Sequence, residues 1–235
     1  MSIHYILFDL DGTLLPMDQE IFIRAYMREL STYMIPHGFE PKQFIETVWQ
    51  GTGLMLKNDG FRTNEEVFWE AFLRAYGDDA RKYEPVLDKF YHTRFGNVQS
   101  SCGYDPEAAL AIAKLKEMGF ELVLATQPIF PAIATENRMK WAGLDKNTFK
   151  LYTTYENSNY CKPTPAYYQQ ILDKLGADPE ECLMVGNDAT EDLVAQQLGI
   201  KVFLLTNCLI NKDGLDLSGY PQGDLNALMH YIQSM

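Results

Sequence analysis

The chain has 235 residues, of which 46% are hydrophobic, so it can bury a full core and is long enough for one large domain or for a domain with an insert. Its net charge of -12, with no block of Lys or Arg, argues against binding to nucleic acid or to an anionic membrane. No apolar run reaches membrane-spanning length, so we expect a soluble, cytoplasmic protein.

The first predicted element is a buried strand, Tyr5–Phe8, which leads into two carboxylates on a glycine turn. Asp9 lies at the end of this strand, and Asp11 follows one residue later, before Gly12 and Thr13. In open α/β sheets the ligand crevice lies at the carboxyl ends of the strands, so this pair is placed for chemistry. Two carboxylates crowded on a tight turn repel each other, which indicates a bound cation, a shared proton, or both.

Residues 17–97 show amphipathic helical patterns and contain no good strand candidate. Helices are predicted at 19–34, 41–50, 65–76 and 85–94. This pattern favours a helical insert with its own aromatic core. We expect the aromatic side chains of the insert to form that core rather than a ligand cage: Phe22, Tyr26, Trp49, Phe68, Trp69, Phe72 and Phe90.

A glycine-rich piece at 51–60 breaks the helical pattern of the insert. We predict a mobile loop there, because glycines disfavour a continuous helix and loops often carry function. Lys57 and Arg62 lie in or beside this piece and are candidates for contact with an anionic substrate. The alternative is that both side chains are simply solvated, as surface Lys and Arg usually are.

From about Cys102 the pattern becomes an alternation of helices and strands. A helix capped by Asp105 precedes a strand at 122–125, and further strands are predicted at 149–154, 182–185 and 202–205. The intervening helices are predicted at 130–142, 165–175 and 191–198. Strands separated by helices imply right-handed crossovers, so we predict an α/β fold with a doubly wound parallel sheet.

Polar residues end several of these apolar strands at what would be one edge of the sheet. Asp9, Thr126 and Asp188 follow three strands, and Lys162 lies in a loop beyond another. The order and spacing of these residues resemble the four motifs of the haloacid dehalogenase superfamily, beginning with the complete string Asp-Leu-Asp-Gly-Thr at residues 9–13.

This resemblance covers nearly the whole chain and implies a domain organisation. Residues 1–16 and 98–235 would form a Rossmann-like α/β core, and residues 17–97 would form the inserted helical cap of the C1 type. The resemblance also implies a magnesium cofactor held by Asp9, by the backbone carbonyl of Asp11, and by Asp188. Magnesium suits a site with few carboxylates because it keeps several waters and binds substrate phosphate.

The same resemblance assigns a role to each motif residue. Asp9 would attack phosphorus, and Asp11 would protonate the leaving alcohol and then activate water. Thr126 would donate a hydrogen bond to a phosphoryl oxygen, and Lys162 would offset the negative charge of nucleophile and phosphate. Asp192 lies four residues after Asp188 and would support either the metal or Lys162.

Two positions depart from the family pattern. Gln127 follows Thr126 where the family often has Asn, so the contact of that Asn is made by Gln127 or is lost. The fourth motif reads Gly186-Asn187-Asp188 rather than Gly-Asp. We take Asp188 as the metal ligand because its spacing to Asp192 fits the common pattern, with Asn187 as a weaker option.

Asp11 favours phosphoryl chemistry over dehalogenation, because a halide leaving group needs no proton. The resemblance therefore implies a phosphatase acting on a small phosphorylated metabolite. One alternative is a phosphomutase resembling β-phosphoglucomutase, which returns the phosphoryl group to a sugar. A second is a non-catalytic interaction protein that retains the fold. No motif points to an oligomeric state.

Overall fold

A parallel β-sheet forms the centre of the computed structural model, which describes residues 3–235. Its six strands in this part of the chain are β1 (Tyr5–Phe8), β2 (Glu121–Leu124), β3 (Leu151–Tyr152), β4 (Cys182–Gly186), β5 (Lys201–Leu205) and β6 (Gln222–Gly223). They are arranged in the order β3-β2-β1-β4-β5-β6, and each neighbouring pair is parallel. The doubly wound, Rossmann-like sheet predicted from the sequence is confirmed.

The strand order reverses at β1, which lies between β2 and β4. Such a reversal opens a crevice at the carboxyl ends of the strands, where Asp9 follows β1. Both faces of β1 are buried, because Ile6 and Phe8 belong to one hydrophobic cluster and Leu7 belongs to another. This burial explains why the strand is apolar at every position rather than at every second one.

Four helices follow β1: α1 (Gln19–Met34), α2 (Pro41–Leu56), α3 (Asn64–Tyr76) and α4 (Glu84–Thr93). Short 3-10 helices follow α1 at Ile35–His37 and flank α4 at Ala80–Tyr83 and Phe95–Ser101. The side chain of Asp18 caps α1, and Thr63 forms a reciprocal capping box with Glu66 at the start of α3. The four predicted helices are therefore present.

The predicted loop at 51–60 was wrong over its first half, because α2 continues through two glycines to Leu56. The reason lies in packing between helices. A methyl group at Gly51 would lie 2.6 Å from Cδ2 of Phe68 on α3, so only glycine permits this close approach. The packing of α2 against α3 outweighs the low helix propensity of glycine, which costs about 1 kcal/mol relative to alanine.

The remaining helices surround the sheet: α5 (Pro106–Glu117), α6 (Ala132–Trp141), α7 (Pro165–Leu175), α8 (Ala189–Asp192) and α9 (Leu225–Gln233). Three further 3-10 helices cover Lys146–Thr148, Pro179–Glu181 and Leu193–Leu198. The helix predicted at 191–198 is thus α-helical only to Asp192 and continues as a 3-10 helix. Strand β6 and helix α9 were not predicted. Within residues 3–235, no helix combines the length and apolarity needed to cross a bilayer.

The two connections between the α1–α4 segment and the sheet lie side by side. The backbone N–H of Gly103 donates to the carbonyl of Pro16 at 2.7 Å, and Met17 forms an antiparallel bridge with Cys102. The boundary predicted between residues 97 and 98 falls inside the 3-10 helix Phe95–Ser101. The division into core and cap stays a prediction.

Candidate active site

Asp9 lies at the carboxyl end of β1, with its backbone N–H bonded to the carbonyl of Val185 on β4 at 2.9 Å. Its carboxylate accepts from Nζ of Lys162 at 3.0 Å and from the hydroxyl of Thr13 at 3.1 Å. Burial raises the pKa of Asp9 to about 6, against the opposing effect of the Lys162 charge. The two donors therefore hold the carboxylate in one orientation, and the neighbouring Lys162 ammonium favours its ionised form.

Lys162 links two buried carboxylates. Its Nζ lies 3.0 Å from Oδ1 of Asp9 and 2.8 Å from Oδ1 of Asp192, and only 1% of Lys162 is exposed. Burial lowers the pKa of this ammonium, but the two carboxylates outweigh burial and hold the pKa well above its ordinary value. Lys162 is therefore a permanent positive charge beside Asp9.

Asp192 positions Lys162 from behind. Besides its contact with Lys162, its Oδ2 accepts from the backbone N–H of Asp188 at 3.0 Å. A side chain at Gly186 would overlap the Asp192 carboxylate, so glycine at the end of β4 makes room for this contact. Of the two partners predicted for Asp192, the structure places it against Lys162.

Gln127 fixes the backbone of Lys162. Its Oε1 accepts from the Lys162 N–H at 3.0 Å, and its Nε2 donates to the Lys162 carbonyl at 3.1 Å. The same Nε2 donates to Glu191 at 3.0 Å. Burial raises the pKa of the Glu191 carboxyl to about 7, against the opposing effect of the Lys162 charge.

Asp11 forms an ion pair that the sequence did not reveal. Its Oδ2 contacts Nη1 of Arg138, a fully buried arginine on α6. The Arg138 guanidinium also lies 4.4 Å from the ring centre of Phe130 and donates to the hydroxyl of Thr135 at 3.4 Å. Burial raises the pKa of Asp11, and Arg138 opposes that shift. Arg138 thus fixes Asp11 in position from a helix far away in the sequence.

Asp188 and Asn187 differ in how their side chains are used. The Asn187 amide accepts from the hydroxyl of Thr13 at 2.9 Å and donates to the carbonyl of Cys208 at 2.7 Å, so protein contacts engage both of its ends. Asp188 caps α8 through one oxygen, Oδ1, which accepts from two backbone N–H groups. The choice of Asp188 rather than Asn187 as a ligand stays a prediction, and the engaged amide is consistent with it.

Gly12 allows the turn between Asp11 and Thr13. Its φ of 87° lies in the left-handed region, and a side chain there would overlap the amide of Asn187. This turn directs the Thr13 hydroxyl toward both Asp9 and Asn187. Gly12 and Thr13 therefore support the site through geometry, by fixing the turn that carries the two carboxylates.

Two buried polar atoms at the site have no hydrogen-bond partner in the described chain: Oγ1 of Thr126 and Oδ1 of Asp11. Such atoms are costly unless a ligand or water satisfies them, so they mark the place where a polar ligand would bind. Residues 3–235 contain no group of three or more His, Cys, Asp or Glu side chains arranged to hold a metal. The set implied by the resemblance is smaller, with two carboxylates and one carbonyl, and its all-oxygen chemistry fits Mg²⁺ that retains several waters.

A cavity of about 1030 Å³ opens above these residues. Its floor includes Asp9, Asp11, Thr126 and Asp188, and its opposite wall is formed by α1–α4. Six of the seven aromatic residues expected to form only the core of the insert line this cavity: Phe22, Tyr26, Trp49, Phe68, Trp69 and Phe72. That expectation was incomplete for five of these rings, which both pack in or against the hydrophobic cluster and line the cavity. It was wrong for Trp49, which is 47% exposed and lies outside the core.

Lys57 and Arg62 lie outside the cavity lining, on the exposed surface of the insert. Arg62 pairs with Glu70 at 2.5 Å, and Lys57 follows the last residue of α2. The structure therefore gives neither residue a place from which to meet a substrate in this cavity.

Comparison with known proteins places the chain in a family. The model of the haloacid dehalogenase-like hydrolases matches residues 3–199. The chain is 28% identical over 201 residues to the pyrophosphatase PpaX of Bacillus cereus (strain AH820), covering 86% of this chain and 82% of that protein.

Two solved structures share the fold. A 2-haloacid dehalogenase from Pseudomonas syringae pv. Tomato DC3000 has a TM-score of 0.65 and 20% identity, and the match covers 99% of each chain. A predicted phosphoglycolate phosphatase from Haemophilus somnus 129pt has a TM-score of 0.60 and 18% identity, with 98% of each chain covered. With the family match over most of its length, the chain belongs to the haloacid dehalogenase-like hydrolases.

Proposed function

We propose that this hydrolase is a Mg²⁺-dependent phosphatase that cleaves a small phosphorylated metabolite through an aspartyl-phosphate intermediate. The observation that carries the proposal is that Asp9, which lies at the floor of the cavity with Thr126 and its unpartnered hydroxyl, forms an ion pair with the buried ammonium group of Lys162. An oriented carboxylate, a fixed cation and a free hydrogen-bond donor together meet the needs of phosphoryl transfer.

Asp9, the backbone carbonyl of Asp11 and Asp188 would hold Mg²⁺. When bound, the ion would neutralise phosphate charge that an anionic nucleophile must approach. Lys162 supplies a second positive charge. The carboxylates of Asp9 and Asp192 hold its ammonium group at the site.

In the first step, an oxygen of Asp9 forms a bond to phosphorus, and the bond between phosphorus and the ester oxygen breaks. Protonated Asp11 gives its proton to the departing oxygen, so the alcohol leaves neutral. The product on the enzyme is an acyl phosphate at Asp9. The Thr126 hydroxyl donates to a phosphoryl oxygen in this step, and Lys162 offsets the charge that accumulates.

In the second step, Asp11 accepts a proton from water as the water oxygen bonds to phosphorus. The bond between phosphorus and Asp9 then breaks, inorganic phosphate leaves, and both aspartates return to their starting state. The segment 17–97 acts as a cap that covers the cavity and excludes bulk water from the intermediate.

Removal of divalent metal provides the direct test of this function. We expect purified protein with Mg²⁺ to release inorganic phosphate from aryl and alkyl phosphates, EDTA to abolish the release, and added Mg²⁺ to restore it. Phosphate release that is unaffected by EDTA would contradict the metal requirement. Isomerisation of a sugar phosphate without phosphate release would instead indicate a phosphomutase, and no turnover across a metabolite panel would indicate a non-catalytic protein.

Replacing Arg138 with Met tests whether this buried cation positions Asp11. The change leaves the Asp11 carboxylate without its ion-pair partner, and we expect kcat/KM for alkyl phosphates, which reports the first step, to fall by about 10- to 100-fold, a part of the usual contribution of a general acid. Nitrophenyl phosphate should be affected much less, because its leaving group needs no proton. Steady-state kinetics with both esters measures the difference.

The comparison between the two esters separates positioning from folding. Loss of folded protein would lower kcat/KM equally for both esters, whereas loss of proton transfer to the leaving group lowers kcat/KM only for the alkyl ester. The second step, in which Asp11 activates water for both esters, does not enter kcat/KM. Arg138→Lys is the conservative variant and should restore part of the alkyl rate, because it keeps a cation near Asp11. Equal loss for both esters would contradict the positioning role.

A further inference from the structure

The cavity above Asp9 is far larger than a phosphate group requires. At about 1030 Å³ it slightly exceeds the usual range for pockets that enclose drug-sized ligands, roughly 300–1,000 Å³. A phosphate group bound beside Asp9 would occupy only the floor of the cavity. The remaining volume lies against α1–α4 and is available to the organic part of a substrate.

Most of the wall contributed by α1–α4 is aromatic and aliphatic, although charged side chains of α3 and α4 also line it and the buried indole N–H of Trp69 has no hydrogen-bond partner among the described residues. Phe22 and Tyr26 on α1 pack against Phe130, with ring centres 6.2 and 5.3 Å from it. Phe68 on α3 lies 6.1 Å from Tyr155 across the cavity lining. Ring faces and edges at these spacings favour contact with another ring or with an apolar group.

The basic side chains that line the cavity already have acidic partners. Within the described chain, two basic side chains line the cavity, Arg81 and His92. Arg81 contacts Glu65 at 3.3 Å and Glu84 at 3.1 Å, and His92 lies 3.5 Å from Asp88. Neither is therefore free to neutralise an additional anion on a ligand.

Acidic side chains, by contrast, are numerous on the same lining. Outside the catalytic floor they are Glu65, Glu84, Asp88, Glu136, Glu156 and Glu191. Arg81, His92 and Lys146 pair with four of them, so the carboxylates on this lining still outnumber the basic partners. A second carboxylate or phosphate on a substrate would lose its hydration and face charges of its own sign. Such juxtaposition disfavours binding, and it is a common source of specificity.

From this size, apolarity and charge we infer that the substrate is a phosphate monoester of an apolar, ring-bearing alcohol that carries no second anionic group. The inference rests on the proposed phosphatase function and narrows its substrate class. It places the ring against the aromatic wall of α1–α4 and the phosphate beside Lys162.

Three esters with the same type of primary alkoxide leaving group test the inference: ethyl phosphate, phosphoglycolate, in which a carboxylate replaces the methyl group, and phenylethyl phosphate, in which a ring is added. Phosphate release by the full-length protein with Mg²⁺ gives kcat/KM for each. We expect phenylethyl phosphate to exceed ethyl phosphate by about tenfold or more, as burial of a ring implies. Phosphoglycolate should lie below ethyl phosphate.

A pair of phenylalanine variants locates the ring contact. Phe68→Ala removes a ring from the cavity wall, and Phe61→Ala removes one that is 89% exposed and lies outside the lining. We expect the ratio of phenylethyl to ethyl phosphate turnover to fall severalfold in Phe68→Ala and to stay unchanged in Phe61→Ala. Because both esters are measured on one variant, partial loss of folded protein cancels from the ratio.

Each outcome bears on the inference in a distinct way. Turnover of all three esters with phosphoglycolate preferred, or a ratio unaffected by Phe68→Ala, would overturn the substrate class and leave the phosphatase function intact. Absence of turnover with any ester, nitrophenyl phosphate included, would overturn both.

Discussion

Asp9→Asn is expected to lower kcat by roughly ten-thousand-fold or more, in the range observed when a catalytic nucleophile is removed. The neutral amide cannot attack phosphorus as a carboxylate does, although its shape fits the same space. The measurement is phosphate release under saturating Mg²⁺ and substrate. The variant keeps oxygen and nitrogen atoms near Lys162 and Thr13, so the protein should still fold.

Asp78→Asn is the matched control for this substitution. Asp78 is exposed, lies outside the cavity lining, and undergoes the same chemical change. We expect wild-type activity from it, with thermal unfolding followed for both variants. Retained Mg²⁺-dependent turnover by folded Asp9→Asn protein would exclude Asp9 as the nucleophile.

Lys162→Met is expected to reduce both activity and stability. Removing the cation leaves the buried carboxylates of Asp9 and Asp192 without their shared partner. Breaking a buried ion pair in this way costs roughly 3–5 kcal/mol, which for a chain of this size lowers Tm by about 6–20 °C. Turnover should be lost as well, because no cation remains to offset phosphate charge at Asp9.

A double variant tests the cause of the instability. Lys162→Met combined with Asp192→Asn removes one of the two stranded charges, and the amide oxygen can still accept from the N–H of Asp188. We expect the double variant to be more stable than Lys162→Met alone but equally inactive. Lys89→Met, at an exposed position on α4, should leave Tm unchanged. A double variant no more stable than the single one would contradict the proposed charge balance.

Much of the fold follows from local patterns in the sequence. Apolar runs such as Tyr5–Phe8 predict buried strands, and caps such as Asp105 and Thr63 mark helix starts directly. The errors occur where tertiary packing overrides local preference. Helix α2 continues through Gly51 because its packing against α3 places Phe68 too close for any larger side chain, and β6 pairs with β5 through only two residues, too few to leave a periodic pattern.

The candidate site likewise contains residues that the sequence predicts and residues that only the folded structure reveals. Asp9, Lys162 and Asp192 were predicted from the resemblance of their order and spacing to the family's motifs, and the structure brings them into contact. Arg138 could not be found by such reasoning, because its partner Asp11 is 127 positions away and a basic residue on a helix usually faces solvent. The dual use of the aromatic residues was also hidden, since a core ring and a cavity-lining ring follow the same helical periodicity.

The most direct test of the account is covalent capture of the intermediate. Protein turning over phenylethyl or nitrophenyl phosphate with Mg²⁺ is quenched in acid within the first turnover, treated with borohydride, and analysed by peptide mass spectrometry. Borohydride reduces an acyl phosphate to homoserine, so the account predicts conversion of Asp9 to homoserine, dependent on substrate and absent in Asp9→Asn. Full single-turnover phosphate release with Asp9 unmodified, or with the label on another residue, would contradict it.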